Sequence, residues 1–187
     1  MARRGYPEGM NATPTPHADP AADLDWLRLD HQICFSLHAA SRAFNGVYRV
    51  LLKELGLTYP QYLAMLVLWE RGELPVKKLG EHLRLDSGTL SPLLKRLEAA
   101  GLVVRERSAR DERSVVVRPT AQGTELRERA VRVPHRIVTA TGFDLAEIGD
   151  LKARLDTLTA ALDTAAALEA GPDRTPTAAA ENPTGCR

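Results

Sequence analysis

Residues 85–118 read LDSGTLSPLLKRLEAAGLVVRERSARDERSVVVR, and the hydrophobic period of this stretch changes halfway. Before Gly101, leucines recur every three or four residues, which indicates an amphipathic helix that ends at the glycine. After Gly101, two apolar runs at 102–107 and 113–118 flank a charged tip, which is the pattern of a β-hairpin. A hairpin that directly follows a helix limits the folds that this chain can adopt.

A second short helix is predicted just before this stretch, over 75–84, and a tight turn at 85–87 separates the two helices. Helix, turn, helix and hairpin is the order of a winged helix-turn-helix, whose second helix enters the major groove of duplex DNA. Short hydroxyls and cations on the polar face of that helix suit base edges and phosphates. The predicted DNA-binding residues on this face are Ser87, Thr89, Ser91, Lys95 and Arg96.

The charge of the chain is concentrated in the same region. The whole chain has 25 basic and 24 acidic residues, so its net charge of +1 does not by itself indicate a nucleic-acid partner. The segment from Lys77 to Arg118 contains ten basic and six acidic residues, so its net charge is +4. The remainder of the chain therefore carries a net charge of −3. This segregation favours DNA binding. A solvated charged helix beside an ordinary hairpin remains the alternative.

The flanking sequence predicts further helices around the winged motif. A long helix is expected at about 30–55 and an apolar, central helix from Tyr59, and Thr120 begins a further helix. The last helix begins at a near capping box at 144–147, and its leucine face has nothing left in the chain to cover it, so a partner subunit is expected.

We therefore expect a mainly α fold with a small β-hairpin, in which a winged helix-turn-helix domain is joined to a helical dimerisation region. The DNA-binding lobe is placed at about 57–119, and the dimerisation helices at about 25–55 and 120–168. The folded part is predicted to span 23–169. Proline-containing segments at 1–22 and 170–187 are expected to be flexible tails.

Several classes of protein are disfavoured. No stretch of about twenty apolar residues occurs, so we expect a cytoplasmic protein without a membrane partner. Cys34 and Cys186 share no metal-ligand spacing with each other or with the five histidines, so neither a metal nor another cofactor is expected.

Cys34 lies four residues after Asp30, a good N-cap, and is therefore expected in the first turns of the long helix. Unpaired backbone N–H groups and the helix dipole favour a thiolate there, and an accessible thiolate can be oxidised to sulfenic acid. The alternative is that Cys34 is an inert, small apolar residue.

The helix and hairpin sequences at 85–98, 101–103 and 110–114 resemble the recognition helix and wing of the MarR family of regulators. The resemblance covers roughly residues 25–168. It implies that Asp111 and Arg113 organise the wing, that an arginine there reaches the minor groove, and that the first and last helices interlock a homodimer. We include Arg110 in this predicted DNA contact.

Residues 29–37 and 58–63 resemble the OhrR branch of that family, the organic hydroperoxide sensors. The resemblance implies that Cys34 is the peroxide-reactive residue and that Tyr48 and Tyr59 of the dimer partner hydrogen-bond its sulfur. A third tyrosine of the pattern is replaced here by His38, which can also donate a hydrogen bond.

The function implied is a repressor that binds a pseudo-palindromic operator in double-stranded DNA and releases it when an organic hydroperoxide oxidises Cys34. We favour capping of the oxidised sulfur by a small cellular thiol over capture by Cys186.

Two other functions remain open. A MarR-type repressor can instead be released by a small aromatic or phenolic ligand, in a cleft lined by Trp26, Phe44, Tyr48 and Trp69. A thiol peroxidase is disfavoured because no Pro-x-x-x-Thr/Ser-x-x-Cys arrangement precedes Cys34 and no paired resolving cysteine or metal cluster accompanies it, so we expect no enzyme.

Overall fold

The computed structural model describes residues 25–108 and 114–170 and confirms a mainly helical fold with a small antiparallel sheet. The chain divides into two compact units, Met1–Gly46 and Val47–Arg187. In chain order, the described elements are α1 (Ile33–Leu51), α2 (Tyr59–Arg71), β1 (Leu74–Pro75), α3 (Val76–Leu83), α4 (Ser87–Ala99), β2 (Val103–Arg107), β3 (Val115–Pro119), α5 (Ala121–Ala130), α6 (Arg132–Thr141) and α7 (Leu145–Ala170). Short 3₁₀ turns lie at Leu29–His31 and Lys53–Leu55.

The core of the second unit is built around α2, as its apolar sequence predicts. Tyr62, Ala64, Met65 and Leu68 of this helix are buried, and leucines from α3 and α4 pack into the same cluster. Thr58 and Gln61 form a capping box that begins the helix. This core fixes the position of the helix-turn-helix.

The helix-turn-helix consists of α3 and α4, and its turn is tight. Arg84 adopts a left-handed φ of 54°, the one non-glycine residue with positive φ in the part of the chain that the structure describes. A Cβ on Gly80 would lie 2.9 Å from the carbonyl oxygen of Leu85, so the close approach requires a glycine. One face of α4 is buried through Leu90, Leu93, Leu94 and Leu97, as its periodicity predicts.

The predicted hairpin is present, with a third strand that the sequence did not indicate. β2 and β3 pair antiparallel, with Arg105 opposite Val117, and β1 pairs with the other edge of β3. β1 has two residues, which is too short to produce an alternating pattern. Residues 109–113, which include most of the predicted charged tip at 108–112, lie outside the described residues.

The segment that follows the sheet also differs from prediction. Thr120 caps α5 as expected. The segment after it forms two helices, α5 and α6, which are separated at Val131. Pro134 explains the break, since it supplies no N–H for the carbonyl of Ala130 and its ring crowds that carbonyl.

The last helix, α7, begins at the predicted capping box. Asp144 accepts hydrogen bonds from the backbone of Ala146 and Glu147, and the Glu147 carboxylate accepts one from the backbone of Asp144. None of its residues is buried within this chain. The exposed leucines of α7 are Leu145, Leu151, Leu155, Leu162 and Leu168.

Candidate DNA interface and sensor cysteine

The polar face of α4 is exposed along its length. The five residues predicted on it share one surface and are all exposed: Ser87, Thr89, Ser91, Lys95 and Arg96. The helix begins at Asp86, whose carboxylate accepts hydrogen bonds from the backbone N–H of Thr89 at 2.8 Å and from its hydroxyl at 3.0 Å. These two hydrogen bonds lower the pKa of Asp86, the backbone one most. Thr89 therefore contributes to the cap of the helix as well as to its surface.

The structure divides the cations of this region into paired and unpaired groups. The paired ones have acidic partners within 4 Å: Lys78 with Glu81, Arg84 with Asp163, Arg105 with Glu98, and Arg118 with Glu106 and Glu73. Four other cations have no ion-pair partner within residues 25–108 and 114–170: Lys77, Lys95, Arg96 and Arg107. Four cations here are thus available to phosphates, two of them on α4.

The predicted wing contacts Arg110, Asp111 and Arg113 lie outside the described residues. On either side of these three residues, β2 ends at Arg107 and β3 begins at Val115. Next to them, the backbone N–H of Ser108 donates to the carbonyl of Ser114 at 2.8 Å, which extends the hairpin by one pair. The roles of the three tip residues remain predictions.

Cys34 is exposed and lies in the first turn of α1. Its thiol is 3.9 Å from the side-chain oxygen of Gln32, which is a sulfur hydrogen-bond distance. The carbonyl of Gln32 accepts the backbone N–H groups of Phe35 and Ser36, so the chain enters the helix at Gln32. The thiol is therefore accessible and close to the N-terminal end of the helix.

Asp30 does not cap α1, contrary to the sequence-based expectation. It lies in the 3₁₀ turn, and its carboxylate accepts hydrogen bonds from Arg28 at 3.1 and 2.7 Å. This guanidinium lowers the pKa of the Asp30 carboxyl. The arginine two residues earlier competes for the carboxylate, which a search for N-cap residues alone does not consider.

Tyr48 and Tyr59 belong to an aromatic cluster in the second unit. Their rings stack with centroids 4.3 Å apart, and Tyr62 lies 5.9 Å from Tyr48. Burial, followed by the nearby Tyr59 and Tyr62, raises the pKa of Tyr48 to about 12. The hydroxyl of Tyr48 is therefore neutral at physiological pH and is able to donate a hydrogen bond.

His38 lies one helical turn after Cys34 on α1 and is exposed.

No group of three His, Cys, Asp or Glu side chains within the described residues is arranged to hold a metal ion. Over the same residues, none of the helices combines the length and apolar character needed to cross a membrane.

Comparison with known proteins shows related sequences among transcriptional regulators. A family model described as "Transcriptional regulator SarA/Rot" matches residues 46–129. The organic hydroperoxide resistance transcriptional regulator of Bacillus subtilis (strain 168) is 48% identical over 135 residues, which is 72% of this chain and 92% of that protein. An exposed cysteine at the start of α1 thus occurs in a chain similar to a regulator of hydroperoxide resistance.

Solved structures show the same fold. Reduced AbfR bound to DNA aligns with a TM-score of 0.64 and 35% identity, over 73% of this chain and 94% of that chain. AbfR is a protein of Staphylococcus epidermidis. NadR in complex with 4-hydroxyphenylacetate aligns with a TM-score of 0.55 and 28% identity, over 68% of this chain and 92% of that chain. The fold is therefore shared with one protein solved on DNA and with another solved with a phenolic acid.

Proposed function

Because this chain belongs to the MarR family of transcriptional regulators and is similar to its OhrR-like members, we propose that it is a peroxide-sensing repressor. As a homodimer it binds a pseudo-palindromic operator and releases the DNA when an organic hydroperoxide oxidises Cys34. The observation that carries this proposal is the exposed thiol of Cys34 in the first turn of α1.

DNA binding is assigned to the exposed face of α4 and to the wing. Lys95 and Arg96 supply unpaired cations, and Ser87 and Ser91 supply hydroxyls that can approach base edges. The same contacts are proposed for Thr89 and for Arg110, Asp111 and Arg113. A solved relative of 35% identity is described in its reduced form on DNA, which supports this assignment.

The homodimer is proposed because large apolar side chains remain exposed on the elements predicted to dimerise. On α1 and the turn before it, Leu29 is 59% exposed and Ile33 67%; on α7, Leu162 is 57% exposed. A partner subunit that covers these faces removes their apolar surface from water. The dimerisation helices are proposed at about 25–55 and 120–168.

The proposed sensing reaction is a two-electron oxidation of sulfur. The Cys34 thiolate attacks an oxygen of the hydroperoxide and the O–O bond breaks, so that a protein sulfenic acid and an alcohol are formed after protonation. A small thiol then attacks the sulfenic sulfur, which gives a mixed disulfide and water. Capture by Cys186, which lies outside the described residues, is the weaker alternative.

Hydroxyl groups near Cys34 are proposed to stabilise its thiolate through hydrogen bonds. Tyr48 and Tyr59 of the partner subunit donate hydrogen bonds to the sulfur, and the raised pKa of Tyr48 keeps its proton available. His38 takes the place of a third tyrosine. Oxidation replaces the thiolate with a larger group at the dimer face, which changes the spacing of the two recognition helices.

The test compares wild type with Cys34→Ser, using the DNA upstream of the chain's own gene. We expect both reduced proteins to bind equally, and only wild type to lose binding after stoichiometric cumene hydroperoxide and a small thiol. Cys186→Ser is the matched control and should respond like wild type. Equal loss of binding by Cys34→Ser would rule out the cysteine as the sensor.

A second candidate function is release by a small phenolic ligand. A cavity of about 450 Å³ in the second unit is lined mainly by apolar groups, including Tyr62, Leu66 and Trp69. A relative of 28% identity was solved with 4-hydroxyphenylacetate. Titration of 4-hydroxyphenylacetate into the DNA complex of Cys34→Ser distinguishes the two functions, because only ligand release is independent of the cysteine.

A further inference from the structure

The turn between α3 and α4 contains an arginine where a glycine is usual. Arg84 directly follows α3, with φ 54° and ψ 39°. Its backbone N–H donates to the carbonyl of Glu81, and that of Leu85 donates to the carbonyl of Gly80 at 3.0 Å. In this Schellman arrangement the left-handed residue is most often glycine, because a Cβ raises the energy of the conformation. The side chain of Arg84 must therefore contribute something that a glycine cannot.

That side chain forms an ion pair with Asp163 of α7. Nη1 and Nη2 of Arg84 lie 3.0 and 2.6 Å from Oδ1 and Oδ2 of Asp163. Two parallel hydrogen bonds fix the orientation of the two groups as well as their distance. The pair is solvent-exposed, with 63% and 55% of the side chains accessible, so it contributes little to the free energy of unfolding. Its role is therefore geometric rather than stabilising.

The ion pair is also the polar link between α7 and the DNA-binding lobe. In the described part of the chain, every other hydrogen bond or ion pair of α7 lies within the helix or at its cap, Asp144. No residue of α7 is buried within this chain, and only Ile148, Leu158 and Thr159 are partly buried. Few other contacts in the chain therefore fix α7 against the turn.

Asp163 lies beside the leucine face of α7 rather than on it. The exposed residues Leu151, Leu155 and Leu162 recur at four and seven residues, which places them on one face. Asp163 follows Leu162 directly, and one residue is a rotation of about 100° around an α-helix. A partner subunit on the leucine face therefore leaves the opposite edge of α7 to hold the turn through Asp163.

We propose that the ion pair between Arg84 and Asp163 positions α4 relative to α7 and thereby sets the distance between the two recognition helices of the dimer. This rests on the proposed function, in which α7 contributes to the dimer and α4 binds DNA. Arg84 lies two residues before Asp86, which caps α4, so the link meets the lobe where the recognition helix begins. The two-fold symmetry of a homodimer repeats the link in both subunits. Preference for one spacing of operator half-sites then depends on this ion pair.

A direct phosphate contact is the alternative role of Arg84, and the two roles predict opposite effects of Asp163→Asn. This variant frees the guanidinium of Arg84 without removing it. If Arg84 bound phosphate, the freed cation would tighten DNA binding and steepen its salt dependence. If Arg84 positions α4, DNA binding weakens and the preference for one spacing of half-sites decreases.

The first experiment uses reduced, full-length protein and the operator located by footprinting in the DNA upstream of the chain's own gene. Two further operators contain one base pair more and one fewer between the half-sites. We expect Asp163→Asn to bind the natural operator roughly threefold more weakly than wild type and to discriminate less among the three. Arg84→Gly, which keeps the left-handed turn, should have the same effect, and the double variant should be no weaker than either single one.

Asp156→Asn is the matched control. Asp156 lies two helical turns before Asp163 on the same face of α7, but it pairs with Lys152 within the helix. This variant removes the same charge and should bind all three operators like wild type. Thermal unfolding should be nearly unchanged in every variant, because the pair is exposed.

A second experiment measures the distance between the two α4 helices without DNA. A spin label is attached through Ser91→Cys, at an exposed position of α4, in the Cys34→Ser and Cys186→Ser background. Pulsed electron paramagnetic resonance should give a narrow distance distribution that broadens in Asp163→Asn and stays narrow in Asp156→Asn. A monomeric wild type would overturn the proposed homodimer and this inference together. A dimer in which Asp163→Asn changes neither the distances nor the spacing preference, or binds DNA more tightly, would overturn this inference alone.

Discussion

Glu98 of α4 accepts three hydrogen bonds from Arg105 of β2. The backbone N–H of Arg105 lies 3.2 Å from one carboxylate oxygen, and its Nε and Nη2 atoms lie 3.0 and 2.5 Å from the other. Arg105 lowers the pKa of Glu98 through these bonds. The contact joins the proposed recognition helix to the first strand of the wing, so it sets the orientation of one DNA-binding element relative to the other.

Replacement of this carboxylate should weaken DNA binding without unfolding the protein. We expect Glu98→Gln to lower operator affinity roughly fivefold, the effect of one hydrogen bond of ordinary net strength. Fluorescence anisotropy with labelled operator measures it. Glu106→Gln is the control, because it removes the same charge from β2, where Glu106 pairs with Arg118 of β3. Equal losses in both variants would contradict a specific role for Glu98.

The unpaired cations of α4 should determine the salt dependence of DNA binding. Lys95→Gln and Arg96→Gln are each expected to reduce the slope of log affinity against log salt by about one, since each removes one phosphate contact. Lys152→Gln on α7, where Lys152 pairs with Asp156, should leave the slope unchanged. An unaltered slope in both α4 variants would place the phosphate contacts elsewhere.

The close contact between α5 and Leu102, the residue before β2, predicts that alanine substitutions at two glycines have different effects on the stability of the protein. Gly123→Ala forces a methyl group against the carbonyl of Leu102 and should destabilise the protein by roughly 1–3 kcal/mol. Gly149→Ala has open space around it on α7 and should be neutral or stabilising by up to about 1 kcal/mol. Urea unfolding, followed by tryptophan fluorescence, measures both. Equal stabilities would show that the backbone at Gly123 can shift freely.

Alkaline titration should identify Tyr48. Its pKa is raised to about 12 in the folded protein, whereas an unfolded tyrosine titrates near 10. The burial of its neutral hydroxyl therefore stabilises the fold fully below about pH 10, and this contribution is lost as the pH rises toward 12. Absorbance at 295 nm should show a last tyrosine step near pH 12, and Tyr48→Phe should remove that step. Complete ionisation of the folded protein by pH 11 would contradict this assignment.

Much of the fold could be predicted because it is written in local patterns. The leucine period of 90–97 predicted the buried face of α4, and the change of period after Gly101 predicted the hairpin. The cap at Thr120 was equally recognisable, since its hydroxyl accepts the N–H of Gly123 three residues later. These features depend on hydrogen bonds and burial within a few residues.

Other features escaped prediction because they depend on longer or competing contacts. β1 is too short to show a period, and Asp30 was assigned to a cap although Arg28 takes its carboxylate. The break at Val131 is different, because Pro134, three residues later, is a local signal that the sequence itself contains.

The sequence by itself determined the helix-turn-helix and the wing strands, because hydrophobic periodicity acts locally. Cys34 lies near the start of α1 as predicted, although Asp30, the cap on which that prediction rested, pairs with Arg28 instead. Only the tertiary structure decided which cations are free. Arg84 is paired with Asp163, 79 residues away, whereas Lys95 and Arg96 have no acidic partner in the described part of the chain. Ion pairing depends on distances between side chains that the packed core sets, and no local pattern encodes those distances.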